Sequence, residues 1–423
     1  MKLADMSKQE QSSMYEELKQ SYARFQARSL KLNMSRGKPS ADQLALSQRL
    51  LDPLDNYRAE DGTDTLNYGL LEGIPEARRL FGELMDMPPE QIIVGGNSSL
   101  SLMYDAISRL FCFGFNGHTP WGRLDKVKFL CPSPGYDRHF TICEVFGIKM
   151  IPIAMGEDGP YMEEIENLVA KDASIKGIWC VPQYSNPDGI TYSSQTVRRL
   201  GALQAAAPDF RIFWDNAYCV HHLNMSDHDA VDNIYTACRE AGQEDLPYIF
   251  SSFSKISFPH GAISAMAASP ANIAHTKKYL NAQTISYDKI NQLRHARYFK
   301  NKAGVLAHMA KHAEILAPKF SMVLDLLEAE LTPLGIGCWT QPKGGYFVSV
   351  FLPKGCAKRT VQLCKQAGVE LTGAGAPYPY GNDPQDSNIR IAPSFPPLEE
   401  LKQAMEIFCL CAKMAAIEAL EAI

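Results

Sequence analysis

A lysine and an aspartate, each following a strand-like segment, are the side chains of this sequence that most clearly indicate a specific chemistry. Lys255 follows residues 249–254, and Asp215 follows the apolar run 210–214. Such apolar runs are typical of buried parallel strands, and open α/β sheets bind ligands at the carboxyl ends of these strands. A lysine that forms a Schiff base, with an acidic partner for a pyridinium nitrogen, is the pattern of a pyridoxal phosphate site. The pair therefore predicts that cofactor.

Further motifs stand around this pair. In chain order they are Gly-Gly-Asn-Ser-Ser at 95–99, Pro-Ser-Pro-Gly-Tyr at 132–136, Tyr-Ser-Asn-Pro-Asp-Gly at 184–189, Asp-Asn-Ala-Tyr at 215–218 and Asn-Ile-Arg-Ile-Ala at 388–392. In this order and at these separations the chain resembles the class I, fold type I aminotransferases. It is most similar to the bacterial type Ic aspartate aminotransferases, which are grouped with MocR-type aminotransferase domains. The resemblance covers residues 35–390, nearly the whole chain.

The resemblance implies a role for each side chain around the cofactor ring. Lys255 would form the aldimine and move the proton, and Asp215 would hold the pyridine nitrogen. Tyr218 and Asn186 would hydrogen-bond the ring hydroxyl, while Tyr136 would stack on the ring. Lys255, Asp215 and Tyr218 are thus the predicted catalytic residues.

The resemblance also implies contacts to the cofactor phosphate and to the substrate. Arg390 would bind the substrate α-carboxylate through its planar guanidinium fork, with Asn186 and the backbone of Gly37 beside it. His139 would be a partner of Asp215. In the family that the chain resembles, a neighbouring subunit donates a tyrosine to the phosphate, which implies a homodimer. The expected phosphate ligands, at a helix N-terminus suited to anions and around it, are Asn97, Ser98, Ser99, Ser252 and, from the neighbouring subunit, Tyr68.

One position departs from ordinary class I enzymes, which carry a phosphate-binding arginine eight residues after the lysine. That position is Ile263 here, and an aliphatic side chain cannot hold an anion. His260 is a candidate for supplying the missing charge. The distal carboxylate of an acidic substrate would also need a cation. A basic cluster in a suitable region consists of Lys289, Arg294 and Arg297, although any one of them is more commonly a solvated helix charge.

The predicted function is transamination between an amino acid, aspartate or glutamate, and a 2-oxo acid, 2-oxoglutarate or oxaloacetate (EC 2.6.1.-). A lyase or decarboxylase of the same fold and a non-catalytic effector sensor are alternatives. An acyl-transfer nucleophile at Ser252, in Ser-x-x-Lys, would need downstream Ser-Asp-Asn and Lys-Thr-Gly motifs, which this sequence lacks. Taken singly, the motifs are ordinary: Asn-Pro-Asp-Gly is a common β-turn, and a lone arginine is usually a surface ion pair.

Composition narrows the class of protein. Net charge is −5, from 42 basic and 47 acidic residues without a basic block, so nucleic acid is not an expected partner. The sequence has no run of eighteen apolar residues, so a membrane span is not expected. Its eleven cysteines lack paired spacing, which favours a reducing compartment and hence the cytoplasm. His308 and His312 share a helix face without the glutamate of a zinc motif, so no metal site is expected.

A chain of 423 residues is longer than one core usually serves, so two domains are expected. Alternating strand and helix patterns from residue 92 to 269 predict an α/β fold, and the resemblance specifies fold type I: a large domain with a mostly parallel seven-stranded sheet between helices, and a smaller α+β domain. Within the smaller domain we predict a strand at 345–350, and one helical run over 288–331 should lead to it. The predicted units are an N-terminal helical segment that joins the small domain (1–52), the large pyridoxal-phosphate-binding domain (53–310) and the small domain (311–423).

Overall fold

A computed structural model of the chain describes residues 2–421. Its strands form three sheets, of eight, three and two strands. In chain order the strands are β1 (Leu32–Asn33), β2 (Ile92–Val94), β3 (Lys128–Ser133), β4 (Lys149–Gly156), β5 (Gly159–Pro160), β6 (Ile175–Cys180), β7 (Arg211–Asp215), β8 (Pro247–Ser252), β9 (Ser264–Ala268), β10 (Cys338–Trp339), β11 (Val348–Phe351), β12 (Val369–Glu370) and β13 (Asn388–Ile391).

The large sheet has the strand order β2-β9-β8-β7-β6-β3-β4-β5. Its centre, β8-β7-β6-β3-β4, is parallel throughout, whereas β9 runs antiparallel to both β8 and β2. The predicted α/β fold with a mostly parallel sheet is confirmed. Seven strands make up the body of the sheet, and the two-residue β5, antiparallel to β4, adds an eighth at the edge.

Burial on both faces explains the apolar runs of the central strands. Every residue of β6 and β7 is buried, and successive side chains enter opposite cores. Ile178 and Ile212 pack in one core, while Trp179 and Phe213 pack in the other. Parallel strands covered by helices on both faces therefore read as continuous hydrophobic segments.

Helices cover both faces of this sheet and build the rest of the molecule. They are α1 (Lys8–Gln26), α2 (Ala41–Ala45), α3 (Pro75–Met85), α4 (Ser99–Phe113), α5 (Asp137–Val145), α6 (Met162–Lys171), α7 (Ser194–Gly201), α8 (Ile234–Glu240), α9 (Pro270–Gln283), α10 (Lys289–Phe299), α11 (Lys302–Leu331), α12 (Ala357–Gln366) and α13 (Leu398–Glu421). Single 3₁₀ turns occur at Leu3–Asp5, Gln48–Leu51, Pro89–Gln91, Trp121–Arg123, Thr332–Leu334 and Pro379–Gly381.

The prediction of one helical run over 288–331 is wrong, because the run is two helices, α10 and α11. Lys300 has a positive φ of 65°, which lies outside the right-handed helical region and so ends α10. The side chain of Asn301 then caps α11 by accepting a hydrogen bond from the Gly304 N–H at 3.0 Å. Lys300 thus ends α10 and Asn301 begins α11, although the sequence has no proline at this point.

A second, smaller set of elements surrounds the antiparallel sheet β10-β11-β13 and the parallel pair β1-β12. The strand predicted at 345–350 begins only at Val348. The residues before it pack against the large sheet's loops instead: a Cβ on Gly344 would lie 2.3 Å from the ring of Tyr184. This close approach draws Tyr346 towards the large domain.

The proposed domain boundary at 310/311 falls inside α11. Val305 and Met309 pack in the core under the large sheet, whereas Leu316 and Phe320 pack in the core of the smaller sheet. Helix α1 packs on α13, so the N-terminal segment adjoins the small domain. The division into three units stays a prediction. Within residues 2–421, no helix has both the length and the apolar composition needed to cross a membrane.

Candidate active site

Most of the predicted site residues converge on one cleft of about 440 Å³. The cleft opens at the carboxyl ends of the central parallel strands, where ligands bind in open α/β sheets. Strand β7 ends at Asp215, and β8 leads into the turn that holds Lys255. The predicted residues that line the cleft are Asn97, Ser98, Ser99, Tyr136, Asn186, Asp215, Tyr218, Ser252 and Lys255.

Asp215 presents a carboxylate oxygen that lacks a donor. Its side chain is buried, and Oδ2 lies 3.1 Å from Nε2 of His139, whose ring stacks on Trp179 at 4.4 Å between centroids. Oδ1 is also buried but has no hydrogen-bond partner in the described chain. An unpaired buried oxygen is costly, so this site fits a ligand that brings an N–H donor to Asp215.

Lys255 is held through its backbone while its amine stays free to act. Its carbonyl oxygen accepts a hydrogen bond from the Tyr346 hydroxyl at 3.2 Å and lies 3.4 Å from Nε2 of His221. The Nζ atom lies 4.7 Å from the ring centroid of Tyr218. The turn is thus fixed from two sides, and the amine projects over the Tyr218 ring.

A buried polar network stands behind this turn. The Gln43 side-chain amide contacts both the Tyr346 hydroxyl, at 3.1 Å, and Nδ1 of His312, at 2.9 Å. Nε2 of His312 lies 3.2 Å from Nε2 of His308, which in turn lies 3.0 Å from the carbonyl oxygen of Ile256. Burial lowers the pKa of His312 to about 3 and also lowers the pKa of His308. The two imidazoles are therefore neutral hydrogen-bonding groups of the core.

Two tyrosines of the cleft are kept in the phenol form. Burial, with the neighbouring Asp215 charge as a second cause, raises the pKa of Tyr218 far above its usual range. Burial also raises the pKa of Tyr136 to about 12, and its ring meets His139 edge-on at 4.9 Å between centroids. Both side chains can therefore donate an O–H hydrogen bond at any physiological pH.

The loop at 95–99 forms the N-terminus of α4 at one end of the cleft. Ser98 is the helix N-cap, and its Oγ accepts a hydrogen bond from the Leu100 N–H at 3.2 Å. The Ser254 hydroxyl donates to the Asn97 carbonyl oxygen at 2.7 Å, which ties the loop to the turn of Lys255. A helix N-terminus with free backbone N–H groups is an anion site.

The position eight residues after Lys255 contributes nothing to this anion site. Ile263 is buried in the core, where its carbonyl oxygen accepts a hydrogen bond from the Phe253 N–H at 2.8 Å. His260 does line the cleft and is exposed to solvent. Its place in the lining leaves His260 a candidate for the charge that Ile263 cannot supply.

Arg390, on β13 of the smaller domain, lies at the edge of this cleft, where it contacts the cleft residue Asn186. Nη1 donates to Asn186 Oδ1 at 3.2 Å and to Asp137 Oδ1 at 3.1 Å, while Nη2 donates to Thr372 Oγ1 at 3.2 Å. The guanidinium lies 4.9 Å from the ring centroid of Phe347. Nε is buried and has no partner in the described chain. Three of the five N–H groups are thus used, and two remain for an acceptor.

Two predicted residues lie outside the cleft. A Cβ on Gly37 would stand 2.4 Å from Cζ of Phe347, so this position excludes a side chain beside the ring under Arg390. Tyr68 is 79% exposed and belongs to a surface segment of its own chain. The single chain does not bring Tyr68 to the other site residues.

The predicted basic cluster is used mainly within the chain. Lys289 is buried, and its amine donates to the backbone carbonyls of Asn67 and Gly69, on either side of Tyr68. Arg297 donates to oxygen atoms of residues 56 and 58. Arg294 has a buried Nε without a partner in the described residues.

Sequence reasoning missed four side chains that shape this site: Gln43, Asp137, Tyr346 and Thr372. Their contacts at the site span from 18 residues, between Thr372 and Arg390, to 253 residues, between Asp137 and Arg390, and more. The only local signal was the place of Asp137 directly after Tyr136 in the Pro-Gly-Tyr-Asp segment. A pairing of two distant segments leaves no spacing pattern in a single sequence.

Asp188 is a second buried carboxyl, in the loop that also holds Asn186. It is 3% exposed, and its Oδ1 has no partner in the described residues. Burial raises its pKa to about 7, and a hydrogen bond with Ser349 opposes part of that rise. The folded state therefore favours the protonated form of Asp188, while the unfolded chain ionises near the ordinary aspartate pKa, at roughly 3.9.

We expect Asp188→Asn to become progressively more stable than the wild type as pH rises. A raised folded-state pKa gives the wild-type protein stability that is complete below pH 4 and is lost as pH rises through 7. The variant cannot ionise, so its advantage in urea unfolding should grow by about 2 kcal/mol between pH 5 and pH 8. Glu157→Gln, at an exposed carboxylate nearby, is the control. A difference between Asp188→Asn and the wild type that is independent of pH would contradict the shift.

Comparison with known proteins gives full-length matches. Residues 6–422 match the family described as aspartate amino-transferase. The chain is 42% identical over 419 residues to an aspartate aminotransferase of Corynebacterium glutamicum, covering 98% of this chain and 96% of that protein. A crystal structure of an aspartate transaminase from Corynebacterium glutamicum superposes with a TM-score of 0.96 at 42% identity, over 99% of both chains.

A more distant structure shares the fold alone. It is an α-aminoadipate aminotransferase from Thermus thermophilus in complex with N-(5'-phosphopyridoxyl)-L-leucine. Its TM-score is 0.72 at 19% identity, and the alignment covers 94% of this chain and 95% of that chain. The arrangement of the large sheet and the smaller domain is therefore common to both proteins.

Proposed function

This chain belongs to the aspartate amino-transferase family and is an aminotransferase, and from that premise we propose that it exchanges amino groups between aspartate or glutamate and their 2-oxo acids with pyridoxal 5'-phosphate as its cofactor. The observation that carries the cofactor assignment is the buried, unpaired Oδ1 of Asp215 in the cleft that also holds Lys255. Full-length similarity to an aspartate aminotransferase supports transamination over a lyase reaction or effector sensing.

The donors and acceptors of the cleft fit this cofactor. Asp215 Oδ1 would accept from its protonated pyridine nitrogen, and the Tyr218 hydroxyl and the Asn186 amide would donate to its ring oxygen. Tyr136 would cover one face of the ring. The phosphate would lie at the N-terminus of α4, among Asn97, Ser98, Ser99 and Ser252. When bound, the cofactor supplies an electron sink for the bonds at the substrate α-carbon.

The chain's own residues would position the substrate and move its proton. Arg390 would bind the α-carboxylate through its guanidinium, while Asn186 and Thr372 hold the guanidinium plane. Lys255 Nζ would accept the proton from the substrate α-carbon, since its backbone is fixed and its amine faces the cleft. Tyr218 would keep its phenolic proton throughout, because burial raises its pKa.

We further propose that the active unit is a homodimer in which Tyr68 reaches the partner's phosphate site. Tyr68 and Leu66 are 79% and 63% exposed, so both side chains are accessible to a second chain. The amine of Lys289 fixes the backbone on both sides of Tyr68. An exposed tyrosine on an anchored segment is suited to contact a second chain.

The remaining assignments rest on single observations. His260 is our candidate for balancing the phosphate charge, because it lines the cleft while Ile263 is in the core. Arg294 is our candidate for the distal carboxylate, because its Nε is unused. We propose a cytoplasmic location, since all eleven cysteines are free thiols, as a reducing compartment would keep them.

Steady-state specificity tests the proposed substrates. We expect aspartate and glutamate to give the highest kcat/KM among amino donors with 2-oxoglutarate or oxaloacetate as acceptor. Neutral or aromatic donors should have a kcat/KM roughly 100-fold lower, because they have no second carboxylate to pair with a cation. The measurement is the initial rate of keto-acid release for each donor. A higher kcat/KM for an aromatic or aliphatic donor would contradict the acidic specificity while leaving transamination intact.

A further inference from the structure

We propose that Asp137 is an internal competitor for Arg390: its carboxylate occupies Arg390 in the substrate-free enzyme and is displaced by the substrate carboxylate. The inference rests on the proposed function, because it takes Arg390 as the substrate's carboxylate receptor. Asp137 has no role among the predicted site residues, yet its Oδ1 accepts a hydrogen bond from Arg390 Nη1 at 3.1 Å. An internal carboxylate at that point resembles the ligand that the arginine would bind.

The partners of Arg390 differ in how firmly they are fixed. Asn186 is 4% exposed, and the hydroxyl of Thr372 is itself engaged with the carbonyl oxygen of Ser35. The side chain of Asp137, in contrast, is 34% exposed. Asn186 and Thr372 can therefore hold the guanidinium plane on their own, while Asp137 can turn towards water at little cost.

The position of Asp137 in the fold provides a second resting place for its charge. It is the first residue of α5, whose N-terminus favours a negative side chain. It also directly follows Tyr136, which lines the cleft. A carboxylate released from Arg390 thus remains next to the cleft and remains stabilised by the helix.

The charge of Asp137 should weaken substrate binding. With Asp137 in place, the Arg390 pair is neutral, and an incoming carboxylate meets another carboxylate on the same guanidinium. The pair also keeps the charge of a nearly buried arginine balanced when no substrate is present, since Arg390 is 7% exposed. Asp137 therefore lowers the affinity of Arg390 for the substrate carboxylate, but it keeps this receptor preformed and speeds the release of carboxylate products.

The test measures succinate binding to the holoenzyme by titration calorimetry, since succinate has two carboxylates and no amino group to transfer. Asp137→Asn keeps an oxygen acceptor of the same shape but removes the charge. We expect it to bind succinate roughly fivefold more tightly than the wild type, with a smaller gain at high salt, and to lower the KM for aspartate in the same ratio. Asp137→Ser should also tighten binding.

Glu144→Gln is the matched control, because Glu144 is an exposed acid on the same helix; its succinate affinity should equal that of the wild type. Unchanged or weaker succinate binding in both Asp137 variants would overturn the proposal and make Asp137 a group that orients Arg390. If both variants give this result while the wild-type holoenzyme transaminates aspartate, the proposed function still stands. A wild-type holoenzyme that neither binds succinate nor reacts with aspartate would overturn both.

Discussion

Lys255→Ala should reduce transamination of aspartate by roughly 10⁴-fold or more, because the amine that bonds the cofactor and the base that takes the substrate proton are the same group. The cleft keeps its other contacts, since Asp215, Tyr218 and the α4 N-terminus do not depend on the Lys255 side chain. The variant should therefore still bind pyridoxal phosphate, but without a covalent bond. Initial rates with 2-oxoglutarate and cofactor retention after dialysis measure the two effects.

Lys354→Ala is the control for removing a lysine, because Lys354 is exposed in a turn of the smaller domain. It should keep wild-type activity. The thermal unfolding midpoint of Lys255→Ala should stay close to that of the wild type when both lack cofactor, since the turn is held through the backbone carbonyl of Lys255. A Lys255→Ala enzyme with activity near the wild type would remove this lysine from the chemistry.

Arg390→Lys should raise the KM for aspartate by roughly 30-fold while changing the affinity for pyridoxal phosphate by less than about threefold. An ammonium group can donate to one oxygen but lacks the planar fork, and the loss of a charged hydrogen bond accounts for an effect of this size. The contacts to Asn186 and Thr372 that orient the plane are also lost. Steady-state kinetics and cofactor titration of the apoenzyme give the two constants.

Arg359→Lys is the matched control, because Arg359 pairs with Glu418 in the smaller domain and does not line the cleft. It should leave both constants near their wild-type values. Equal losses of substrate and cofactor affinity in Arg390→Lys would assign Arg390 to the structure of the cleft and not to carboxylate recognition.

The parts of the fold that local sequence patterns encode were predictable. Strand β7 is buried on both faces, so residues 210–214 read as a continuous apolar run and place Asp215 at its carboxyl end. The glycine- and serine-rich segment at 95–99 likewise indicates the start of a helix, and Ser98 does cap α4. In both cases the physical cause acts within a few residues.

The parts that depend on a single capping side chain, on distant contacts or on a second chain were not predictable. The break at Lys300 and Asn301 has no proline or glycine to mark it, and it depends on one side chain that caps α11. The hydroxyl of Tyr346 meets the carbonyl of Lys255 across 91 residues, because a glycine pair lets that segment approach the large domain. The role proposed for Tyr68 depends on a second chain, so neither the sequence pattern nor a single subunit can supply its contacts.

The most direct test of the central claim is the absorption spectrum of the purified wild-type protein, saturated with pyridoxal phosphate and freed of excess cofactor. The account predicts a visible band that falls when aspartate is added and returns when 2-oxoglutarate follows, because each half of the transamination converts the cofactor between its aldehyde and amine forms. A protein that retains no pyridoxal phosphate, or whose band is unchanged by both aspartate and glutamate, would contradict it.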